Sequence, residues 1–130
     1  MRAVVPPGSE EAVRAMHLSP GVISDGFLFV TGMTGSDPDG QMPADPEAQF
    51  RAAFGKIGAV LDEAGTSFAA VVEMTSYHIG LSEHFDLFSA VRAEFVSDPF
   101  PAWTAVEVAG LRREGALVEI RVVARVDSAA

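Results

Sequence analysis

Apolar residues recur at helical spacing in two segments of the chain. The first stripe, at steps of three and four residues, consists of Phe50, Phe54, Ile57, Leu61 and Ala64. Its helix is predicted to begin at Asp45-Pro46, because aspartate can cap a helix and proline suits the first helical position, and to end at Gly65. A second helix, capped by Ser82 and ended by Asp98-Pro99, carries the stripe Phe85, Phe88, Val91 and Phe95.

Other segments are rich in β-branched residues and predict strands. Residues 21–34 contain two apolar segments around Asp25-Gly26, a pair typical of a hairpin turn because both positions adopt positive φ. Further strands are predicted at 71–81, 103–111 and 116–126. The order of elements predicts an α+β fold of two layers, in which two helices cover one face of a mixed sheet of about six strands. Residues 1–130 are expected to form a single domain.

The alternation of side chains on the last two strands predicts which of them lie beneath the helices. One parity is apolar and comprises Val106, Val108, Val118, Ile120 and Val122. The opposite parity comprises Trp103, Ala105, Glu107, Leu117, Glu119 and Arg121. Because two helices cover only one face, this second face, which combines an indole with charged groups, predicts burial against another subunit. We therefore expect an oligomer.

Composition excludes several classes of protein and of site. The chain has 18 acidic and 9 basic residues, and its net charge of −9 argues against nucleic-acid binding because phosphates are repelled. It has no apolar run near the length of a membrane span and no signal-peptide h-region after the N-terminus. Cysteine is absent, which excludes disulfides and thiolate zinc sites and suits a cytoplasmic location. Asp37 and Asp39 lack the spacing of a calcium loop and no glycine-rich phosphate loop occurs, so neither a metal nor a cofactor is expected.

Five segments follow one another in a specific order between about Ser19 and Arg125. They are VTGM at 30–33, a helix ending in LDEAG, VVEMTSYHI, FPAWTAVEVAGL and LVEIRVVA. Together they resemble the reactive-intermediate deaminase family (RidA/YjgF), also known under the older label endoribonuclease L-PSP. The resemblance implies a chorismate-mutase-like fold and a homotrimer whose sheets form a central barrel, with clefts for a small molecule between subunits. The implied reaction is hydrolysis of an enamine or imine to a keto acid and ammonia.

The resemblance also implies site residues, and this chain matches them only in part. Active members carry an arginine after Pro-Ala on the penultimate strand, which grips the substrate carboxylate; here Trp103 follows Pro101-Ala102. The glutamate on the last strand that helps to place the attacking water corresponds to Glu119. The other positions implied to line the cleft are Thr31, Gly32, Met33, His78, Ser89 and Ala102.

The change at position 103 leaves several interpretations open. Indole offers one N–H and no charge where a guanidinium offers a fork of donors, so the substrate of a deaminase would lack the usual carboxylate contact. In that hypothesis Glu119 orients water, whereas Trp103 and Met33 line the cleft. A non-catalytic trimer that binds a metabolite is the alternative, and a ribonuclease is disfavoured by the charge.

Each candidate residue also has a purely structural interpretation. Trp103 can serve packing, His78 can be a hydrogen-bonded strand histidine, and Glu119 can pair with Arg121. Arg121 is the main candidate to replace the missing arginine. Arg112 and Arg113 are interpreted as solvated turn residues.

Overall fold

The computed structural model describes residues 1–126, which form six strands and three α-helices. The strands are β1 (Arg2–Val4), β2 (Gly21–Ser24), β3 (Phe27–Thr34), β4 (Val71–His78), β5 (Ala102–Glu107) and β6 (Val118–Arg125). The helices are α1 (Glu10–Met16), α2 (Pro46–Glu63) and α3 (Leu81–Ala93), and a short 3-10 helix spans Phe68–Ala70. None of these helices combines the length and the hydropathy that crossing a bilayer requires.

The strands form one mixed sheet in the order β1-β2-β3-β6-β4-β5. All neighbouring strands are antiparallel except β4 and β5. These two run parallel because α3 returns the chain to the end of the sheet at which β4 begins. Helices α2 and α3 pack against each other and cover one face of the sheet. The predicted α+β fold with two layers and a sheet of about six strands is therefore confirmed.

The core lies between these two helices and the sheet. The α2 side chains of the predicted stripe from Phe50 to Leu61 are at most 1% exposed, and the inward residues of β6 are fully buried. The local signals at the start of α2 and at the hairpin turn are confirmed. Asp45 accepts a hydrogen bond from the Ala48 amide at 3.1 Å, and Asp25 and Gly26 have φ angles of 54° and 80°.

The N-terminal elements β1 and α1 were not predicted from the sequence. No residue of α1 is buried, so its sequence has no apolar stripe that would indicate a helix. Strand β1 contains only three residues, of which only Val4 is buried. Strand β1 is held by its pairing with β2, and α1 has no buried face, so no local apolar pattern indicates either element.

Helix α3 begins differently from the prediction. Its first residue is Leu81, Gly80 at φ 75° occupies the capping position, and the predicted cap Ser82 lies inside the helix. The carboxylate of Glu107, at the end of β5, accepts hydrogen bonds from the Gly80 and Leu81 amides at 3.1 and 2.6 Å. These bonds lower the pKa of Glu107, and the bond from the Leu81 amide has the larger effect. The prediction of Ser82 as the cap is wrong because the acceptor comes from a distant strand.

Replacing Glu107 with glutamine is expected to lower the thermal midpoint at neutral pH. A carboxyl group whose pKa falls on folding stabilises the protein above its unfolded pKa, and this contribution disappears as pH falls through the folded value. The difference between wild type and Glu107→Gln should therefore be largest near pH 7 and shrink at acidic pH. Thermal unfolding followed by circular dichroism across this range measures it. Glu114→Gln, at an exposed turn, is the control; a pH-independent difference at Glu107 would contradict the capping role.

The predicted face of β5 is wrong, whereas that of β6 is confirmed. Val118, Ile120 and Val122 are fully buried beneath the helices. In β5, however, Trp103 lies opposite Met74 in the parallel ladder with β4, and Met74 faces the helices. The parity that contains Trp103, Ala105 and Glu107 therefore faces the helices, and Val106 faces the other side with Tyr77. A large ring has more apolar area to bury than a valine, so burial of the indole determines the orientation of this edge strand.

Candidate functional site

A groove of about 1080 Å³ opens beside the second half of β3. Strand β2 pairs with β3 only as far as Val30, so Thr31–Thr34 have no strand partner on that side within residues 1–126. The N-terminal segment, the outer surface of α2 and the loop before β6 form the other walls. The irregular pairing of β3 with β6 between Val30 and Met33 lies at the same place.

Glu119 lies against Gly32 in this groove. A Cβ atom at Gly32 would lie within 2.9 Å of the Glu119 Cδ and closer still to Oε2, so a larger residue here would require the carboxylate to move. Register places Glu119 opposite Thr34 on one side and Tyr77 on the other. The carboxylate is partly exposed and can reach a ligand in the groove.

Thr31 and Met33 also line the groove, and Thr31 is held in place by two hydrogen bonds. The Thr31 hydroxyl donates a hydrogen bond to the Ser19 carbonyl at 2.6 Å, and the Thr31 amide donates to the Pro20 carbonyl at 2.9 Å. These bonds hold the segment before β2 against β3. The structure thus brings together Thr31, Gly32, Met33 and Glu119, as the resemblance implied.

Three basic residues that sequence analysis did not place in a site contribute to the same groove. Lys56 of α2 donates a hydrogen bond to the Ser36 hydroxyl at 2.8 Å, and Arg113 donates to the Gly40 carbonyl at 2.7 Å. Arg112 is exposed at the same wall. Burial, and secondarily the charge of Arg113, lowers the pKa of Lys56 to about 8. The signal that could have drawn attention to Lys56 is that it is the only lysine in the chain.

Arg121 is not part of this group. Its guanidinium lies 3.8 Å from the Glu73 carboxylate on the sheet face away from the helices, and it does not line the groove. The interpretation of Arg112 as a solvated turn residue agrees with its exposure, whereas Arg113 is partly buried and donates to the Gly40 carbonyl; both residues border the groove.

Trp103 lies on the opposite side of the sheet from the predicted position. Its ring stacks on Phe85 of α3 with centroids 5.7 Å apart and planes inclined by 3°. The Arg92 guanidinium lies 3.8 Å from the ring centroid, and the indole N–H donates to the Ser76 hydroxyl at 2.9 Å. The expectation that Trp103 shares a face with Glu119 is therefore wrong, because α3 offers aromatic surface that buries the ring.

The remaining predicted residues lie near Trp103 rather than near Glu119. His78 is 1% exposed; its Nε2 is 2.8 Å from the Ser76 hydroxyl, and burial is the main cause of its lowered pKa. It is the hydrogen-bonded strand histidine of the structural interpretation. Ser89 is partly buried on α3, and Ala102 is exposed at the start of β5. One chain thus carries two separate groups of predicted site residues.

Comparison with known proteins identifies the family. Residues 9–126 match the family model described as Endoribonuclease L-PSP. The chain belongs to this family, the RidA/YjgF family. It is 36% identical over 125 residues to the RutC family protein YjgH of Escherichia coli K12. The aligned region covers 95% of this chain and 94% of the relative.

Solved structures of RidA/YjgF proteins show the same fold. The structure of a protein named YjgH superimposes with a TM-score of 0.88 at 34% identity, covering 98% of this chain and 97% of that one. Rv2704 of Mycobacterium tuberculosis, described as a member of the YjgF/YER057c/UK114 family, superimposes with a TM-score of 0.82 at 32% identity and covers 97% and 100% of the two chains. Membership in this family fixes the fold but not the ligand of this chain.

Proposed function

We propose that this RidA/YjgF protein is a hydrolytic deaminase that acts on a small enamine or imine in the groove beside Glu119. The observation that carries the proposal is the Glu119 carboxylate, which lies against Gly32 in a groove large enough for a small metabolite. A carboxylate held at such a surface can accept a proton from water as the water attacks a neighbouring carbon atom.

The reaction balances with Glu119 as the only proton carrier. An enamine first tautomerises to the imine, and water then adds to the imine carbon while Glu119 accepts one of its protons. Glu119 returns this proton to the nitrogen, which gives the neutral carbinolamine. The hydroxyl proton of the carbinolamine then passes through Glu119 to the nitrogen, so that the C–N bond breaks, ammonia leaves and the C=O bond of the keto product forms. The substrate and one water molecule thus yield the keto compound and ammonia, with Glu119 returned to its starting state.

Loss of Glu119 is expected to reduce turnover strongly. In a panel of enamines, Glu119→Gln should lower kcat by about 100-fold or more, because glutamine retains the shape but cannot accept the proton. Release of ammonia and of the keto product is the measurement. Glu63→Gln, which changes an exposed carboxylate at the end of α2 away from the groove, is the matched control and should leave kcat unchanged. Wild-type turnover in Glu119→Gln would remove Glu119 from the mechanism.

The complete site is proposed to form between subunits of a homotrimer. The sheet face away from the helices carries exposed apolar side chains, with Phe29 41% and Val72 40% exposed, beside polar ones such as Glu73. Such a mixed face suits contact with another copy, and the resemblance implies a central barrel. The group around Trp103 and Ser89 would then border the groove of a neighbouring copy. Light scattering of the purified protein tests this; a monomer would contradict it.

A non-catalytic protein that binds a metabolite is the second candidate. The observation that favours it is the position of Trp103, whose ring packs under α3 and provides no charged clamp. The panel of enamines also separates the two candidates, because a binding protein shows affinity for ligands in the groove without releasing ammonia. The ribonuclease that the family description suggests is disfavoured by the net charge of −9, and RNA binding at low salt tests it.

A further inference from the structure

Two cations in the groove, Lys56 and Arg113, have neutral partners only. Lys56 is held by a serine hydroxyl and Arg113 by a backbone carbonyl. Within residues 1–126 neither of them forms an ion pair, although Arg51 on the outer surface of α2 pairs with two glutamates. Both cations line the groove, and no carboxylate of residues 1–126 lies within ion-pair distance of either one, although the chain has 18 acidic residues and only 9 basic ones.

Their arrangement is unfavourable unless an anion joins them. Lys56 is partly buried, and the positive charge of Arg113 adds to the effect of burial in disfavouring its ammonium form. Exposed Arg112 brings a third positive charge to the same wall. An anionic ligand would offset the repulsion and would accept the N–H donors that the two neutral partners leave free.

We propose that Lys56 and Arg113 bind the carboxylate of a small organic acid in the groove that holds Glu119. The inference rests on the proposed function, since the acid would be the substrate or the keto-acid product of the hydrolysis. It gives this chain a carboxylate-binding pair on α2 and on the loop before β6, where position 103 carries no cation. A carboxylate suits the groove better than a phosphate dianion does, because Glu119 repels a single charge less.

Binding at this pair has a defined dependence on pH. The charged groups that line the groove with Lys56 are Arg112, Arg113 and Glu119, and burial lowers the pKa of Lys56 to about 8. The acid binds the ammonium form, so its affinity is constant below the pKa of Lys56 and decreases above it. By linkage, saturation with the acid raises the pKa of Lys56.

Isothermal titration calorimetry with pyruvate as the probe tests the pair. Pyruvate should bind the wild-type protein. Its uncharged amide, pyruvamide, should bind with an affinity that is lower by about tenfold or more. Lys56→Met and Arg113→Gln should each weaken pyruvate binding by about tenfold or more, whereas Arg51→Met, which removes a surface arginine, should leave it unchanged. In Lys56→Arg the affinity for pyruvate should persist and should no longer decrease above pH 8.

A second measurement needs no substitution. Because Lys56 is the only lysine, protein labelled with ¹³C-lysine gives the NMR signals of a single side chain, and its titration should move upward from about 8 when pyruvate is added. An unchanged titration, pyruvate binding that survives both substitutions, or equal affinity for pyruvamide would overturn the proposal. Inorganic phosphate that binds more tightly than pyruvate would overturn the assignment to a carboxylate.

The proposal of the anion site and the proposal of the hydrolysis can be refuted independently of each other. Glu119→Gln should keep pyruvate binding while it loses ammonia release. If no enamine is hydrolysed, the calorimetric result at Lys56 and Arg113 still stands. If the pair does not bind pyruvate, turnover that depends on Glu119 would still support the deaminase.

Discussion

Replacing Gln49 with leucine is expected to destabilise the protein by about 3–5 kcal/mol. The Gln49 side chain is 1% exposed, and its amide group forms three hydrogen bonds to backbone groups. Nε2 donates to the Pro43 and Gly115 carbonyls at 2.7 and 2.9 Å, and Oε1 accepts from the Leu117 amide at 2.8 Å. Leucine fills a similar volume but removes the partner of all three backbone groups, whose hydrogen bonds are partly buried.

The same substitution should disturb the groove. Gln49 ties the loop before α2 to the loop before β6, and the second of these loops carries Arg113. Urea unfolding measures the loss of stability, and pyruvate affinity measures the displacement of Arg113. Gln41→Leu changes an exposed glutamine in the first loop and should shift the free energy of unfolding by less than about 0.5 kcal/mol. Equal losses in the two variants would mean that the three hydrogen bonds do not contribute.

Gln49 shows where prediction from sequence ended. The apolar stripe of α2 and the hairpin turn at Asp25-Gly26 were predictable because each depends on residues a few positions apart. The partners of Gln49 at Gly115 and Leu117 are 66 and 68 residues away, and nothing in the local pattern of α2 indicates them. A polar residue beside an apolar stripe is ordinarily a solvent-exposed one.

The candidate site divides in the same way. Thr31, Gly32 and Met33 are consecutive, and Glu119 lies on a strand of correctly predicted parity, so the resemblance placed them together. Lys56 was missed because it lies outside the apolar stripe of α2, where charged residues are normally solvated. Only the folded positions of the two loops show that the groove extends to this side chain.

The predicted orientation of strand β5 was wrong for a different physical reason. Both of its parities contain apolar residues, so alternation alone could not decide which of them faces the helices. The choice depends on what α3 presents to the strand, and α3 presents Phe85 and Phe88 to Trp103. The position of α3 is a tertiary property that the sequence of β5 does not contain.

Replacing Trp103 with arginine, the residue that active members of the family carry here, is therefore expected to destabilise the protein by about 2–4 kcal/mol. It is not expected to add hydrolysis of iminopropanoate, an imine that bears a carboxylate. The substitution removes the ring that stacks on Phe85 and sets a second guanidinium beside Arg92. Arg92 already has a buried Nε without a hydrogen-bond partner among residues 1–126, and burial lowers its pKa. A second cation at this position adds repulsion between like charges where solvation is already poor.

Trp103→Phe separates the ring from its hydrogen bond. Phenylalanine keeps an aromatic ring for Phe85 and Arg92 but loses the N–H that donates to Ser76, so the expected loss is about 1 kcal/mol. Urea unfolding of both variants, together with ammonia release from iminopropanoate, makes the comparison. Wild-type stability and new hydrolysis in Trp103→Arg would show that the side chain at position 103 reaches the ligand. Loss of stability without new hydrolysis, and a smaller loss in Trp103→Phe, would show that the indole acts through packing and that any anion is held elsewhere in the groove.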